Sequence, residues 1–411
     1  MTFAPHEDKT GEYTFAGFDI AQTVAPDVNT VVVEACMRHA ATRFGQAFFG
    51  KYAGQDEGGA AGEVHEPNRW PGIQRALHGP EAQVILVSCF AEASVRERLC
   101  STYCLRPHPE IPCVFECDGL PSFRQDAEFA MATIVDGEGL RPRLPVELHS
   151  TETSEKPSLS MCFLSSASVV ASQALLVAPG EKVLDLCAGP GAKALVLASM
   201  LLGTQNGSST PTLLERVGEE VGDAMKTPSD RGLLVCNEPH RARRAALDSI
   251  LSSFLPRSLL GEGGSVVQTK AEASSKVPPV LKKYAPFDKV LVDPPCSAAR
   301  AKAKSRMNAN DAYSSALKDS AAMIEELLLC AAALVRAGGL IVYTTTSLEH
   351  EENDEAIRKF LRRTNGEFKV EAGKDDSPVT GAESTPFGTL ILPDQGTLHG
   401  PLYLAQLRRQ Q

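Results

Sequence analysis

The stretch that decides the fold is residues 183–202, which read VLDLCAGPGAKALVLASMLL. It begins with an apolar run of the kind that forms a short buried strand. A turn with two glycines and a proline follows, and residues 192–202 have the composition of a helix. A strand, a glycine turn and a helix in this order predict backbone N–H groups gathered at a helix N-terminus, where a carboxylate or a phosphate binds well.

Strands and helices continue to alternate toward the C-terminus. From apolar runs and helical periodicity, we predict further elements at 233–237, 241–254, 266–267, 290–292, 324–335 and 340–344. We expect Gly338 to end the helix at 324–335 as a C-cap. The alternation is typical of a mostly parallel sheet covered by helices on both faces, so the predicted fold class is α/β and Rossmann-like.

The chain is predicted to contain two domains. Residues 1–150 show no clean period and no catalytic motif, and we interpret them as a small, mostly helical or irregular N-terminal unit. A Ser/Thr/Glu-rich linker separates this unit from the sheet domain at 157–411. Within the sheet domain, residues 203–231 are too long for a simple connection and are predicted to form a surface insertion.

Composition narrows the classes of function. The chain has 411 residues, 43% of them hydrophobic, a net charge of −10 and eleven cysteines. No apolar run approaches the ~20 residues needed to cross a bilayer. An acidic chain is a poor generic binder of polyanions, so contact with nucleic acid has to come from local basic patches or from a partner. The odd cysteine count favours free thiols, and the Cys100/Cys104 and Cys113/Cys117 spacings are atypical of zinc sites, so no metal site is predicted.

Polar side chains at two predicted strand ends are candidates for ligand binding. Glu238 follows the strand at 233–237, where an acid accepts hydrogen bonds from ribose hydroxyls in nucleotide-binding α/β proteins. Asp293-Pro294-Pro295-Cys296 follows a later strand, and its two prolines fix the backbone that presents the Cys296 thiol. The alternative interpretations are a solvated acid at a strand end and a buried structural cysteine.

A cluster of cations follows directly after this motif. It consists of Arg300, Lys302, Lys304 and Arg306. Beside a cleft, these side chains would make a local phosphate-binding strip in an otherwise acidic protein. A solvated helix or loop face explains the same pattern equally well.

Three segments in this order resemble one enzyme family. They are DLCAGPGAK at 185–193, VDPPCS at 292–297 and GGLIVYTTTSL at 338–348, which is followed by Glu-Glu-Asn at 351–353. Together they resemble the Sun (NSUN) family of RNA cytosine-C5 methyltransferases, which use S-adenosylmethionine (SAM), and most of all its mitochondrial ribosomal-RNA branch. That family reads tyrosine-serine-threonine-cysteine-serine-leucine at the positions of Tyr343 to Leu348. Thr346 therefore stands where the family has its nucleophilic cysteine.

The resemblance implies a SAM-dependent methyltransferase sheet that acts on RNA. In the family, the later cysteine attacks C6 of a flipped-out cytosine, which makes C5 reactive toward the methyl group of SAM. The earlier cysteine, which Cys296 matches, helps to release the enzyme. The SAM contacts that the resemblance implies are Cys187, Ala188, Gly189, Pro190, Gly191, Ala192, Lys193, Glu238, Glu272 and Asp293.

Three departures from the family pattern predict impaired chemistry. Ala192 replaces the second glycine of the turn, and Glu272 with Ala273 replaces an aspartate-glycine pair near the adenine. Because both changes crowd or lengthen a contact, we expect SAM to bind weakly or not at all. Thr346 replaces the nucleophile, and a hydroxyl needs an adjacent strong base, for which His350 is the only nearby candidate in the sequence.

Two hypotheses follow from the resemblance. In the first, the chain is an impaired family member that acts through contacts on mitochondrial ribosomal RNA during large-subunit assembly. Its partner is then a helical-repeat protein of the mitochondrial termination-factor (mTERF) family, and the N-terminal unit contacts RNA or this partner. In the alternative, the chain is an active SAM-dependent rRNA cytosine-C5 methyltransferase that uses Cys296 as nucleophile. The implied location is mitochondrial, with no membrane attachment, although no transit peptide is visible in the N-terminal residues.

Overall fold

A computed structural model describes most of the C-terminal two thirds of the chain and shorter parts of the rest. The described residues are 6–7, 13–14, 69–78, 83–90, 93–102, 104–108, 113–116, 133–135, 161–202, 232–299, 311–371, 382–394 and 400–411. The chain divides into two compact units, Met1–His78 and Gly79–Gln411. In the first unit, β1 (His6–Glu7) pairs antiparallel with β2 (Tyr13–Thr14), and α1 comprises Trp70–His78.

A five-stranded sheet begins the second unit. Its strands are β3 (Gln83–Val87), β4 (Arg106–Pro107), β5 (Val114–Glu116), β6 (Thr133–Val135) and β7 (Met161–Ser165), in the spatial order β4-β5-β3-β7-β6. Helix α2 (Ala93–Thr102) lies between β3 and β4 in the chain. These strands add to the helices that the sequence predicts for residues 1–150. The pairing of β7 with β3 joins residues on the two sides of the predicted linker. The division of the chain into domains at 150–157 stays a prediction.

A nine-stranded sheet forms the centre of the same unit. Its strands are β8 (Lys182–Asp185), β9 (Leu233–Asn237), β10 (Val266–Thr269), β11 (Phe287–Val292), β12 (Val335–Thr345), β13 (Phe368–Glu371), β14 (Ala382–Ser384), β15 (Thr389–Ile391) and β16 (Leu402–Arg409). The spatial order is β10-β9-β8-β11-β12-β16-β15-β14, and β13 pairs with β16. Strands β8 to β12 are parallel to one another, whereas β16 runs antiparallel to β12. The predicted Rossmann-like sheet is confirmed.

Helices pack against the parallel strands. They are α3 (Ser166–Gln173), α4 (Ala192–Leu202), α5 (Arg241–Phe254), α6 (Pro279–Lys282), α7 (Asp311–Leu334) and α8 (Asp354–Arg363). Helix α4 is apolar and buried along most of its length, because one core cluster joins it to α5, to the parallel sheet and to β3. The hydroxyl of Ser88 also donates a hydrogen bond to the carbonyl oxygen of Phe254 (3.1 Å). The five-stranded and nine-stranded sheets therefore share a core.

The expectation for Gly338 is wrong. Helix α7 ends at Leu334, and Gly338 lies in β12 with φ +70°. Between Val335 and Leu340, the pairing of β12 with β11 is irregular. The glycine supplies the positive φ that this bulge needs rather than a helix cap.

The sheet places the predicted site at one edge. Strand β8 lies between β9 and β11, so the strand order reverses at β8. In open α/β sheets, ligands bind outside the carboxyl ends of the strands at such a reversal. The carboxyl ends of β8, β9, β11 and β12 define the cleft described next.

Candidate active site at the strand ends

Thr346 and Cys296 lie together in the cleft. Cys296 follows β11 and Thr346 follows β12, and the two strands are neighbours. The Cys296 Sγ and Thr346 Oγ1 atoms are 3.6 Å apart. The N–H of Ala299 donates to the carbonyl oxygen of Thr346 (2.9 Å), which joins the two loops a second time. The predicted placement at adjacent strand ends is confirmed.

A buried carboxylate, Glu352, holds these two loops in place. Its oxygens accept hydrogen bonds from the N–H of Ser297 (3.1 and 3.2 Å), from the hydroxyl of Ser297 (2.6 Å) and from the hydroxyl of Ser320 (2.5 Å). The hydroxyls of Ser297 and Ser347 are 2.7 Å apart, so the network reaches the residue after Thr346. A fully buried carboxylate with this many donors is well satisfied and fixes the groups around it.

Asn353 fixes the residues on both sides of Thr346. Its Oδ1 accepts from the Thr345 hydroxyl (2.7 Å), and its Nδ2 donates to the carbonyl oxygen of Ser347 (3.0 Å). The sequence motif includes Glu352 and Asn353, but it assigns them no role. Their function in holding the loops depends on contacts that only the folded chain makes.

Neither side chain at the centre of the cleft is an activated nucleophile. Burial raises the pKa of the Cys296 thiol and the charge of Glu352 adds to this effect, while a hydrogen bond with Thr346 opposes it. Cys296 therefore stays protonated near neutral pH. The side chain of His350 is exposed, and among the contacts of the described residues it makes no hydrogen bond with the Thr346 hydroxyl.

The glycine turn packs tightly against Glu238. A Cβ at Gly189 would lie 2.4 Å from Glu238 Oε2, so only glycine fits there. The N–H of Gly189 donates to Oε2 (3.2 Å), and the N–H of His240 donates to Oε1 (2.9 Å). Arg243 approaches the same carboxylate, with Nε 3.2 Å from Oε2, and Nη2 donates to the Gly189 carbonyl oxygen (2.5 Å). The acid expected to bind ribose is thus buried and ion-paired.

Asp185, Lys193 and Asp293 form a charged group beside this turn. Lys193 Nζ lies 2.6 Å from Asp293 Oδ2. Burial alone would lower the pKa of Lys193, but its interactions with Asp293 and Asp185 raise it. Burial and the charge of Asp293 raise the pKa of Asp185 to about 7. Neither carboxylate oxygen of Asp185, which is 1% exposed, makes a hydrogen bond of ordinary geometry among the described residues, although the nearby N–H of Cys187 partly offsets the rise of its pKa.

Asn237 ties three strand ends together. Its Oδ1 accepts from the Thr269 hydroxyl and from the N–H of Ala271, both at 2.8 Å, and its Nδ2 donates to the carbonyl oxygens of Leu186 (3.1 Å) and Ala271 (3.0 Å). A strand-end asparagine carries no distinctive signal in a sequence, which explains why it was not a candidate. Its position makes it a support for the cleft floor.

The residues present fit the cofactor that the resemblance implies. A glycine cradle, a buried acid at the end of β9 and an orphaned buried carboxylate at Asp185 suit the polar groups of a nucleoside linked to an amino acid. Of the other implied contacts, Cys187, Ala188 and Gly191 are buried and Pro190 is half-buried. Ala192 belongs to the apolar core cluster and Glu272 is exposed. That these last two residues weaken SAM binding stays a prediction.

Several sequence predictions fall on residues outside those described. They are the cation cluster of Arg300, Lys302, Lys304 and Arg306, the insertion at 203–231 and Cys117. Within the described residues, no group of three or more His, Cys, Asp or Glu side chains could hold a metal ion. No helix in the described segments is long and apolar enough to span a membrane.

Comparison with known proteins identifies relatives by sequence. Residues 234–408 match the family model "16S rRNA methyltransferase RsmB/F". The mouse mitochondrial tRNA (cytosine(34)-C(5))-methyltransferase is 30% identical over 277 residues, which is 65% of this chain and 68% of the relative. The mouse 5-cytosine rRNA methyltransferase NSUN4 is 25% identical over 264 residues, which is 60% of this chain and 59% of the relative.

Solved structures share the fold at low identity. A methyltransferase homologue from Pyrococcus horikoshii has a TM-score of 0.57 and 17% identity, and the match covers 92% of this chain and 99% of that one. NSun6 from the same organism, solved with the SAM analogue SFG, has a TM-score of 0.50 and 16% identity, with 83% and 94% coverage.

Proposed function

The chain belongs to the RsmB/F family of RNA cytosine-C5 methyltransferases, and we propose that it binds RNA in the family's cleft without forming a covalent bond to cytosine from position 346. The observation that carries the proposal is the Thr346 hydroxyl, whose neighbour at 3.6 Å is a thiol and not a base. A hydroxyl becomes an effective nucleophile only when a base takes its proton. The fold and the loop supports are retained, so binding does not require the lost atom.

A cofactor site remains part of this proposal. SAM, when bound, supplies an electrophilic methyl group. The glycine turn at Gly189 and Gly191 would hold it, with Glu238 as acceptor for the ribose and Asp185 as acceptor for an ammonium group. These roles follow from charge and burial, and weak binding remains our expectation.

The RNA is proposed to be mitochondrial. NSUN4 is named a 5-cytosine rRNA methyltransferase, and we propose ribosomal RNA bound during large-subunit assembly, with a helical-repeat partner of mTERF type. A mitochondrial tRNA is the competing substrate, since the relative with that name is the more identical, at 30% against 25%. The net charge of −10 suits a basic partner.

A second candidate function keeps catalysis and moves the nucleophile to Cys296. The observation in its favour is the same short distance, because a thiol 3.6 Å from the lost nucleophile's position needs little movement to reach the same ring carbon. Against it stands the raised pKa of Cys296, which keeps the thiol protonated. We therefore place it second.

The two candidate functions differ in whether the protein forms a covalent adduct with RNA that contains 5-fluorocytosine. Mitochondrial rRNA and tRNA transcripts that contain 5-fluorocytosine are incubated with SAM and with the wild type, Cys296→Ala, Thr346→Ala or the exposed-thiol control Cys104→Ala. We expect retention of RNA on filters, no SDS-stable protein–RNA adduct and no transfer of labelled methyl to ordinary transcripts. An adduct that Cys296→Ala alone abolishes would establish the second candidate instead.

A further inference from the structure

We propose that Arg243 is a latch on the nucleoside subsite, which leaves Glu238 able to bind one ribose hydroxyl and not two. The inference rests on the proposed cofactor site, since it takes Glu238 as the ribose acceptor. The inference concerns the contacts that the Glu238 carboxylate already makes within the chain.

The occupancy of the two carboxylate oxygens is unequal. Oε2 accepts a hydrogen bond from the N–H of Gly189 (3.2 Å) and is ion-paired with Arg243, whose Nε lies 3.2 Å away, whereas Oε1 accepts a hydrogen bond from the N–H of His240 (2.9 Å). A carboxylate oxygen accepts about two hydrogen bonds. The N–H of Gly189 takes one position on Oε2 and the guanidinium of Arg243 covers the other, whereas Oε1 has room for one further donor.

Arg243 is the removable member of this group. The N–H groups of Gly189 and His240 belong to the backbone and stay where the fold puts them. The Arg243 side chain is 35% exposed, whereas that of Glu238 is 3% exposed, so the arginine lies on the solvent side of the acid. Its Nη2 also donates to the Gly189 carbonyl oxygen (2.5 Å), which closes the guanidinium over the turn. The neighbouring Arg244 donates to the carbonyl oxygens of Glu238 and Pro239 and supports the backbone.

A specific pattern of ligand recognition follows. A ribose that uses both hydroxyls has to displace Arg243 from Oε2 and break a charge-assisted contact. A ribose bound with the latch closed loses one hydrogen bond, and its second hydroxyl adds little to affinity. The latch therefore lowers the affinity for any adenine nucleoside ligand and reduces discrimination against deoxyribose.

The test compares three nucleosides on three proteins. Calorimetry with adenosine, 2′-deoxyadenosine and 3′-deoxyadenosine is carried out on the wild type, Arg243→Met and the control Arg241→Met, which removes the same charge from an exposed position on the same helix. In the wild type, we expect removal of one hydroxyl to weaken binding about tenfold and removal of the other less than twofold. In Arg243→Met, each removal should weaken binding about tenfold, and adenosine should bind about tenfold more tightly, which corresponds to about 1.4 kcal/mol. Arg241→Met should match the wild type.

The outcomes are distinguishable. Binding of adenosine to the wild type and Arg243→Met with the same pattern of losses overturns the latch and leaves the cofactor site intact. No binding of adenosine to any of the three proteins, each shown to be folded by its thermal unfolding transition, overturns the latch together with the proposed nucleoside site.

Discussion

A hydroxyl at position 346 changes what the cleft can do, while leaving its shape almost unchanged. Threonine and cysteine have similar volumes, so the thiol can be restored with little disturbance of the packing. We predict that Thr346→Cys, kept reduced and supplied with SAM at a concentration high enough to offset weak binding, forms an SDS-stable adduct with 5-fluorocytosine RNA, because the thiol adds to C6, C5 accepts the methyl group and the fluorine then prevents release of the enzyme. The reason is that a thiol, unlike a hydroxyl, is nucleophilic without a strong base beside it. Gel shift under denaturing conditions measures the adduct.

Thr346→Ser is the matched control, since it keeps a hydroxyl at the same place. It should form no more adduct than the wild type. If the cysteine variant binds RNA as well as the serine variant and forms no more adduct than it does, the cleft lacks more than the nucleophile.

Asp185 makes stability depend on pH. Its pKa is about 7 in the fold against an ordinary value of 3.8. A raised pKa favours folding fully below pH ~4, and this contribution is lost as the pH rises through about 7. We predict that Asp185→Asn, measured against the wild type by urea unfolding, gains about 2–3 kcal/mol in relative stability between pH 5 and pH 8.

The exposed Asp319 offers a control, because Asp319→Asn makes the same chemical change without burial. Its relative stability should stay flat over that pH range. If the relative stability of Asp185→Asn is also independent of pH, the Asp185 carboxylate does not have a raised pKa in the folded protein.

The sequence predicts the reactive positions well and their supports poorly. Cys296, Thr346, Glu238 and Lys193 lie in the cleft, as their motifs indicate. Their roles stay predictions. Asn237 was not a candidate, and the sequence marks Arg243 only as one cation of the weak cluster Arg241, Arg243 and Arg244. The contacts of Asn237 and Arg243 join groups that are distant in the chain, so their positions beside the turn are visible only in the folded protein.

At the scale of elements, the 3-10 turn His350–Glu352 stabilises the ends of β11 and β12. Glutamine at position 352 would present a donor where the carboxylate accepts from Ser297 and Ser320. We predict that Glu352→Gln loses roughly 2–3 kcal/mol of stability in urea, because hydrogen bonds to a buried charge are lost. Removal of this charge also lowers the pKa of Cys296, so alkylation of that thiol at pH 8 should become faster.

Glu262→Gln is the surface control. Its carboxylate is exposed and paired with Lys283, and exposed pairs contribute little. A Glu352→Gln protein as stable as this control, with unchanged alkylation of Cys296, would rule out the holding role.

A helix with a regular apolar stripe could be predicted from the sequence, whereas strands that pair with distant parts of the chain could not. Helix α5 has the predicted bounds, 241–254, because its apolar stripe is complete within its own residues. Strand β3 pairs with β7 across more than 70 residues, so no local pattern in the sequence predicts that the two strands share a sheet. Gly338 was misassigned because a helix cap and a bulge both require a positive φ.

At the scale of the whole molecule, the proposed function requires a chain with a net charge of −10 to bind a negatively charged polymer. We predict that charge reversal of Arg300, Lys302, Lys304 and Arg306 weakens RNA binding and flattens its dependence on salt, because fewer counterions are released. The control reverses four exposed cations elsewhere, Lys282, Lys283, Lys318 and Arg362, which gives the same net charge. Filter binding at several salt concentrations measures both. An equal loss of RNA affinity in the two variants would indicate an effect of net charge and would contradict a local phosphate-binding strip.

The alternation in the sequence predicts a mostly parallel sheet with helices on both faces, whereas the order of its strands is known only from the fold. The shared core could not be predicted either, since the residues of β3 that meet α4 and α5 are simply apolar. The sequence shows that these residues are apolar, and only the folded chain shows which helices they pack against.

The hydrogen bond between Ser88 and Phe254 and the shared apolar core connect the small sheet to helix α5, so we expect the two to unfold together. Helix α5 carries Arg243 at its first turn and Phe254 at its last, so it spans from the proposed nucleoside subsite to the segment after β3. A ligand that stabilises the first turn would slow amide hydrogen exchange in β3 as well, because both open in the same unfolding event. Deuterium uptake at residues 84–90 would then report on an event in the cleft that those residues never touch.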